Sequence, residues 1–159
     1  MTLAKDAAAF LDLAGPEGAI LGLDPGTRTI GVAVSDERRT LASPLETIFR
    51  NGLRSDLDRL ALLAARREAT GIVLGMPLHM DGKAGRRAQA TRAFSRDLER
   101  ALGLPVLYWD ERLSTVAAEE AMIAADVSRA KRAARIDALA AASILQGALD
   151  AFASHRPEN

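Results

Sequence analysis

The chain has 159 residues, of which 48% are apolar and 26% are charged, the profile of a single globular domain with a buried core. It has no cysteine, which excludes disulfides and thiolate metal sites and is compatible with the cytosol. Its 21 basic and 21 acidic side chains cancel, so any nucleic-acid binding must come from local basic clusters. We expect no membrane-spanning stretch and a cytoplasmic protein.

The start of the chain differs in pattern from the remainder. Residues 4–14 are Ala-rich and end at a Gly-Pro pair, which predicts a short helix. We therefore divide the chain into an N-terminal extension, residues 1–18, a single domain over residues 19–153, and a polar tail over residues 154–159.

An apolar run over residues 20–23 ends at Asp24 and is followed by Pro25 and Gly26. This pattern predicts a buried strand that brings Asp24 to a sheet edge, with a hairpin to a second strand over residues 30–36. We expect Gly26 to take a positive φ in the turn. A third extended segment, residues 40–48, contains Pro44, which favours an edge position.

The second half alternates helical periodicity with short apolar runs, which is typical of parallel strands joined by helices. The sequence therefore predicts a mixed α/β domain, in which an antiparallel meander of three strands is followed by parallel strands flanked by helices. The remaining predicted elements are a helix over 53–68, a strand over 72–75, a helix over 84–102, a strand over 106–109, a helix from 114 or 115 to 125, a basic loop or helix start over 126–135, and a helix over 136–153.

Three acidic positions can meet beyond the carboxyl ends of the strands, where open α/β sheets place their ligands. Asp24 ends the first strand, Glu111 ends the last one, and Asp137 opens an otherwise apolar helix. Asp110 is the alternative to Glu111, which we favour, because successive strand residues face opposite sides of a sheet. Taken singly, Asp24 could be a turn residue, and Asp137 could be a first-turn acid favoured by the helix dipole.

Three converging carboxylates repel one another unless cations neutralise them. Oxygen ligands of this kind suit Mg²⁺ or Mn²⁺. Two such ions can stabilise both the attacking and the leaving oxygen of a phosphodiester displacement. We therefore expect a two-metal site for phosphodiester cleavage.

Four segments of the sequence resemble, in order, the motifs of the YqgF family, whose members are described as pre-16S ribosomal RNA nucleases or Holliday-junction-resolvase-like proteins. The resemblance implies an RNase H-like fold, a metal-dependent nuclease and a role in maturing the 5′ end of small-subunit rRNA. It also implies that Asp24, Glu111 and Asp137 are the catalytic, metal-binding carboxylates. The four segments are residues 23–36, 75–82, 110–115 and 136–145.

Basic side chains near these motifs are candidates for phosphate contacts. The cluster over 129–135 contains no acidic residue and ends two residues before Asp137. The basic residues of Arg92–Arg100, in contrast, are typical of a solvated helix face. In the central loop, Gly75, Pro77 and His79 are further candidates for substrate contact. The nucleic-acid-binding candidates are Arg28, Lys83, Arg86, Arg112, Arg129, Lys131, Arg132 and Arg135.

The expected partner is precursor rRNA, in the context of the small ribosomal subunit, with the protein a monomer or a homodimer. Cleavage of branched DNA is the nearest alternative, because fold alone does not decide between substrates. A non-catalytic ribosome- or transcription-associated factor is another. The Asp24 turn is also similar to the phosphate loop of actin-like ATPases, but these enclose nucleotide with a second domain, for which 159 residues leave no room.

Overall fold

Six strands and four helices make up the part of the chain that the structure, a computed structural model, describes: residues 3–4, 6–77, 82–110 and 129–155. Side chains are described for residues 6–77, 85–110 and 135–155. The strands are β1 (Leu3–Ala4), β2 (Ile20–Pro25), β3 (Thr29–Ser35), β4 (Ala42–Phe49), β5 (Gly71–Met76) and β6 (Val106–Asp110). The helices are α1 (Ala7–Ala14), α2 (Leu53–Arg67), α3 (Gly82–Leu102) and α4 (Arg129–Ala153).

All six strands belong to one mixed sheet, in the order β1-β6-β5-β2-β3-β4. β2, β3 and β4 form an antiparallel meander, and β5, β6 and β1 continue from β2 in parallel. The predicted combination of a meander and parallel strands is confirmed. β4 is an edge strand, as Pro44 predicted, and its register with β3 shifts between Val32 and Ala33.

Helices cover both faces of the sheet, and alternation along each strand divides the core in two. Leu21 and Leu23 of β2 pack with α2 and α3, against side chains such as Leu60 and Leu98. Ile20 and its counterparts on neighbouring strands pack instead with α1 and α4. Because successive strand residues face opposite sides, the position of each side chain along a strand decides which face it reaches.

The first helix is part of the second core. Its N-cap is Asp6, whose side chain accepts a hydrogen bond of 2.8 Å from the Ala9 N–H. Phe10 is fully buried and stacks on Phe152 of α4, with ring centroids 5.5 Å apart. The helix is therefore held against the sheet by α4, and residue 4, which we expected in the helix, lies instead in β1.

Two local predictions are wrong. Gly26 is not among the glycines with positive φ in the described chain; its N–H instead donates to the Thr29 carbonyl at 2.8 Å and closes the turn. A Cβ at Gly26 would lie 3.2 Å from that carbonyl oxygen, so the turn requires glycine mainly for space. The last helix begins at Arg129 and not at Ile136, so the described part of the segment predicted as a basic loop or a helix start is helical.

The segment Arg135–Ala153 is long and apolar enough to cross a membrane by length and composition alone, contrary to the expectation from the sequence. Half of its apolar window is buried within the protein. Ala141, Leu145 and Leu149 of this segment are buried in the core that also contains strand residues. Its composition is thus explained by packing against the sheet.

Candidate active site

Asp24 lies near the end of β2 and projects onto the face of the sheet that α4 covers. Two residues earlier, a Cβ placed on Gly22 would lie 2.7 Å from Leu145 Cβ of α4. Alternation puts Asp24 on the same face as Gly22. Asp24 is half-buried and pairs across the meander with Gly31 of β3.

Asp137 of α4 reaches the same place from the opposite direction. The Thr29 hydroxyl at the start of β3 donates a hydrogen bond of 2.7 Å to Asp137 Oδ2. A Cβ placed on Gly31 would lie 1.9 Å from the Asp137 carbonyl oxygen, so the backbone of α4 rests directly on this glycine. Asp24 and Asp137 therefore flank the same residue, Gly31, on one face of the sheet.

The sequence allowed two interpretations of Asp137, a metal ligand or a first-turn acid stabilised by the helix dipole, and its position in α4 contradicts the second. It is the ninth residue of α4, more than two turns from the helix start. The helix dipole acts mainly within the first turn, so the interpretation as a dipole-stabilised first-turn acid is wrong. Asp137 is instead oriented by the hydrogen bond from Thr29, a contact for which the sequence contains no local signal.

Glycines lie beside Asp24 on both neighbouring strands. Gly31 is its partner on β3, and Gly75 of β5 lies beside it on the other side. A Cβ on Gly75 would be 3.8 Å from Asp24 Oδ1 and only 2.8 Å from Ile144 Cδ1. We call Asp24, Asp137, Gly31 and Gly75 the carboxylate site. Gly75 lies in β5, within the strand predicted over residues 72–75, and its missing side chain leaves room for Ile144 of α4.

Asp110 lies on the other face of the sheet. In β6, Leu107 and Trp109 pack toward α4, whereas Val106 and Tyr108 belong to the core under α2 and α3. By the same alternation Asp110 follows Tyr108, away from Asp24. Both aromatic residues pack against the cores, which agrees with their predicted place there.

Several predicted site residues lie outside the described residues, namely Glu111, Arg112 and His79, and so does the predicted helix over 114–125. Within the described side chains, no three His, Cys, Asp or Glu residues lie close enough together to hold a metal ion. Of the three predicted carboxylates, the described chain thus brings two together.

The other predicted contact residues are spread along the edge of the sheet. Arg28 is exposed in the β2–β3 turn, Arg86 is exposed on α3, and Pro77 is buried directly after β5. Arg135 is exposed on α4. The remaining basic candidates have described backbone only: Lys83 in the first turn of α3, and Arg129, Lys131 and Arg132 in the first turn of α4.

Sequence reasoning missed an arginine beside the turn. Arg50, directly after β4, donates to Asp56 Oδ2 at 3.0 Å and to the Gly26 carbonyl at 2.9 Å. Asp56 is 2% exposed, and its other oxygen accepts from the Asn51 N–H. A buried acid needs such a partner. The signal available in the sequence, an Arg six residues before an Asp across an Asn-Gly turn, is too common to be specific.

The side-chain atoms of the carboxylate site that could bind a metal ion are all oxygens. Both side chains are carboxylates, the Thr29 hydroxyl already donates to one of them, and no sulfur or imidazole lies among them. Hard oxygen donors of this type fit Mg²⁺ or Mn²⁺ better than softer metals.

The fold is that of RuvC-like, RNase H-like proteins. The chain superimposes on the structure titled "T. thermophilus RuvC in complex with Holliday junction substrate" with a TM-score of 0.56 at 15% identity, covering 86% of this chain and 96% of that one. A second structure of Thermus thermophilus RuvC gives a TM-score of 0.52 at 14% identity. At this level of identity the likeness concerns the fold alone.

The chain belongs to the RuvX family, also known as YqgF: residues 18–151 match the family model described as "RuvX: Holliday junction resolvase". A relative from Rhodopseudomonas palustris, strain TIE-1, named "Putative pre-16S rRNA nuclease", is 60% identical over 139 residues, 87% of each chain. A relative of the same name from Sphingopyxis alaskensis is 58% identical over 152 residues, 95% of this chain and 97% of its own. The resemblance read from the four motifs is confirmed.

Proposed function

We propose that this protein is a metal-dependent endonuclease that cleaves precursor 16S rRNA near its 5′ end. The observation that carries the proposal is the convergence of Asp24 and Asp137 on Gly31. It occurs in a chain that is 60% identical, over most of its length, to a relative named as a pre-16S rRNA nuclease. Two carboxylates that flank one residue repel each other, and a cation bound between them would offset that repulsion.

Three carboxylates have assigned roles in the proposal. Asp24 and Asp137 are cation ligands, and Thr29 holds one oxygen of Asp137 in a fixed direction. We assign Glu111 as the third ligand in preference to Asp110, because Asp110 follows the face of β6 that packs under α2 and α3. Gly31 lets α4 approach closely enough for Asp137 to share the site.

The cation is Mg²⁺ or Mn²⁺, and two ions are proposed. When bound, they neutralise the carboxylates and polarise a phosphodiester for displacement by water. The residues of the chain position the phosphate and the ligands, and the glycines on either side of Asp24 let α4 pack closely against the sheet beside it. Hydrolysis then depends on geometry held by the sheet, with no side chain serving as a covalent nucleophile.

Basic residues at the start of α4 supply phosphate contacts. Arg129, Lys131 and Arg132 occupy the first turn of this helix, where the dipole makes positive charge unfavourable, and Arg135 lies in the second turn. A basic cluster at an electrostatically costly position fits a role in binding polyanions. Arg28 and Arg86, both exposed, extend the basic surface toward the β2–β3 turn and α3, and we add Lys83 and Arg112 to it.

The proposed partner is RNA of the small ribosomal subunit precursor, met in the cytoplasm. Branched DNA is the second candidate, because the family model carries the description of a Holliday junction resolvase. The two substrates share the phosphodiester chemistry of the site and differ in the shape presented to it.

The test is a parallel cleavage assay with Mn²⁺ or Mg²⁺ on a precursor 16S rRNA fragment, a plain RNA duplex and a four-way DNA junction. The matched variants are Asp24→Asn, which removes one proposed ligand, and Asp58→Asn, which removes an exposed acid of α2. We expect cleavage of the precursor fragment that needs a divalent cation, is lost in Asp24→Asn and is kept in Asp58→Asn. Preferential cutting of the junction would transfer the assignment to DNA, and equal activity in the two variants would contradict the proposed site.

A further inference from the structure

A narrow cleft opens on the side of the β2–β3 turn that faces away from Asp24. Its volume is about 90 Å³. Pro25 follows Asp24 in β2 and so points to the opposite face, toward α3. The cleft therefore lies at the same end of the strand as the carboxylate site but under the other face of the sheet. Its lining residues are Pro25, Gly26, Thr27, Arg50, Arg87, Ala90, Thr91 and Phe94.

Arg50 is held in place at one side of this cleft. Its Nε donates to Asp56, its Nη1 donates to the Gly26 carbonyl, and its guanidinium carbon lies 5.1 Å from the centre of the Phe94 ring. In the described part of the chain Nη2 donates no hydrogen bond, and 26% of the side chain is exposed. The structure thus presents a fixed guanidinium with spare donors to the cleft, which lowers the entropic cost of binding an anion.

The rest of the lining suits an anion as well. Arg87, an exposed residue of α3, also lines the cleft, and the exposed Thr27 adds a hydroxyl at the tip of the turn. Among the described side chains that line the cleft, none is a carboxylate. Ala90, one helical turn after Arg87, leaves the space between the two arginines open.

The described residues that line the cleft offer no free aromatic surface on which a base could stack. Phe94 is only 5% exposed and its ring is already covered by Arg50, so it offers no free stacking surface. The volume is sufficient for a phosphate group but small for a nucleoside. Two cationic forks and a hydroxyl around a small space are the groups that recognise phosphate oxygens.

We infer that this cleft binds a second, uncleaved phosphate of the nucleic-acid substrate, while the carboxylate site holds the phosphate to be cut. The inference rests on the proposed nuclease function. It adds that the bound phosphate fixes the position of the nucleic-acid strand relative to Asp24. A strand that passes over Thr27 and Arg28 would place two of its phosphates on opposite faces of the sheet edge. Binding of one phosphate in the cleft, on one side of the β2–β3 turn, then determines which phosphate of the strand reaches Asp24 on the other side.

The experiment measures binding of a single-stranded precursor 16S rRNA fragment in a chelator, so that cleavage does not interfere. Arg87→Ala is compared with Arg96→Ala, an exposed arginine nine residues further along α3 and therefore on the opposite side of the helix. We expect Arg87→Ala to weaken binding about fivefold to tenfold and to lower the slope of log affinity against log salt by about 0.7, the value for one phosphate of a single strand. Arg96→Ala should change neither quantity.

Arg50 is tested by a milder change, because its loss would leave Asp56 buried and unpaired. Arg50→Lys keeps a positive charge but removes the planar fork, and should weaken binding in the same direction. NMR signals of the Arg50 side-chain N–H groups should shift when the RNA fragment is added, and much less with the same concentration of inorganic phosphate.

The outcomes separate this inference from the proposed function. Equal binding by Arg87→Ala and Arg96→Ala would overturn the second phosphate site, even if both proteins cut RNA normally. A second result would also overturn the second phosphate site: inorganic phosphate shifts the Arg50 signals as much as RNA does, and Arg87→Ala leaves the RNA affinity unchanged. That result would identify the cleft as a site for free anions. Loss of binding in Arg87→Ala in a protein that cuts no substrate would support the site and contradict only the nuclease assignment.

Discussion

The hydroxyl of Thr29 and the carboxylate of Asp137 join the first residue of β3 to the middle of α4, across 108 positions of sequence, by a hydrogen bond of 2.7 Å. This contact fixes one of the two described acids of the carboxylate site relative to the other. Thr29 does not reach substrate in the proposal, so it is a positioning residue for Asp137.

Thr29→Val should keep the shape of the side chain and remove the donor. We expect cleavage to fall about tenfold, the value of one hydrogen bond to a charged group, with the loss in kcat and little change in KM. Thr29→Ser should restore activity, and the rise in melting temperature on adding Mn²⁺ should shrink in the Val variant only. A variant that melts earlier but retains its kcat and its response to Mn²⁺ would reduce Thr29 to a structural role.

Asp24→Asn tests whether the acids repel one another without cations. The side chain keeps its size but loses its charge, so melting without metal should be unchanged or higher, while stabilisation by Mn²⁺ decreases and cleavage is lost. A turn acid with a structural role would give the reverse, lower stability and unchanged cleavage per folded molecule. Calorimetry with and without Mn²⁺ and an assay on the same preparation distinguish the two.

The two glycines of the carboxylate site should respond differently to a methyl group. In Gly31→Ala the new Cβ would meet the backbone of α4 at Asp137, which must move, and we expect a cost of about 3 kcal/mol or more in unfolding free energy. In Gly75→Ala it would meet the terminal methyl of Ile144, which can rotate, and would lie 3.3 Å from the Leu23 carbonyl oxygen, so the cost should be lower, about 1 kcal/mol. Urea unfolding measures both, and adding Ile144→Val should reduce the cost of Gly75→Ala alone. Equal costs would show that α4 does not rest on Gly31.

Replacing Arg129, Lys131, Arg132 and Arg135 with Gln should weaken RNA binding for all sequences and flatten its dependence on salt. Because cations near a helix N-terminus oppose the dipole, the melting temperature should stay equal or rise slightly. Fluorescence titration at several salt concentrations provides the slope. A slope equal to that of the unmodified protein would identify the cluster as an ordinary solvated helix face.

Stability in acid should depend on Asp36, directly after β3. Hydrogen bonds from the Leu41 N–H, the Thr40 hydroxyl and the Thr40 N–H lower the pKa of Asp36 from 3.8 to about 2. A carboxyl whose pKa is lower in the folded state stabilises the protein above its unfolded pKa, and this contribution is lost as pH falls from about 4 to about 2. Asp36→Asn should remove that part of the pH dependence in thermal melts, whereas Asp58→Asn should retain it.

The sequence by itself determined the family and, apart from β1, the order of the described elements. The strands and helices follow from local patterns, because each pattern shows whether one face or both faces of an element are buried. Examples are the apolar runs that end at Asp24 and at residue 109, and the helical periodicity of residues 53–67. Four ordered motifs were enough to recognise the RuvX family. The choice between Asp110 and Glu111 also began as a local argument, because alternation along a strand follows from backbone geometry.

The tertiary structure alone decided which residues meet. The contact of Asp137 with Gly31, its hydrogen bond from Thr29 and the cleft formed by Arg50 and Arg87 all join distant elements. The start of α4 at Arg129 changed the meaning of Asp137, and the turn at Gly26 needed space and not a positive φ. The physical reason is common to all of these: local periodicity specifies which face of an element is buried, whereas the register between elements depends on the packing of the whole sheet and its helices.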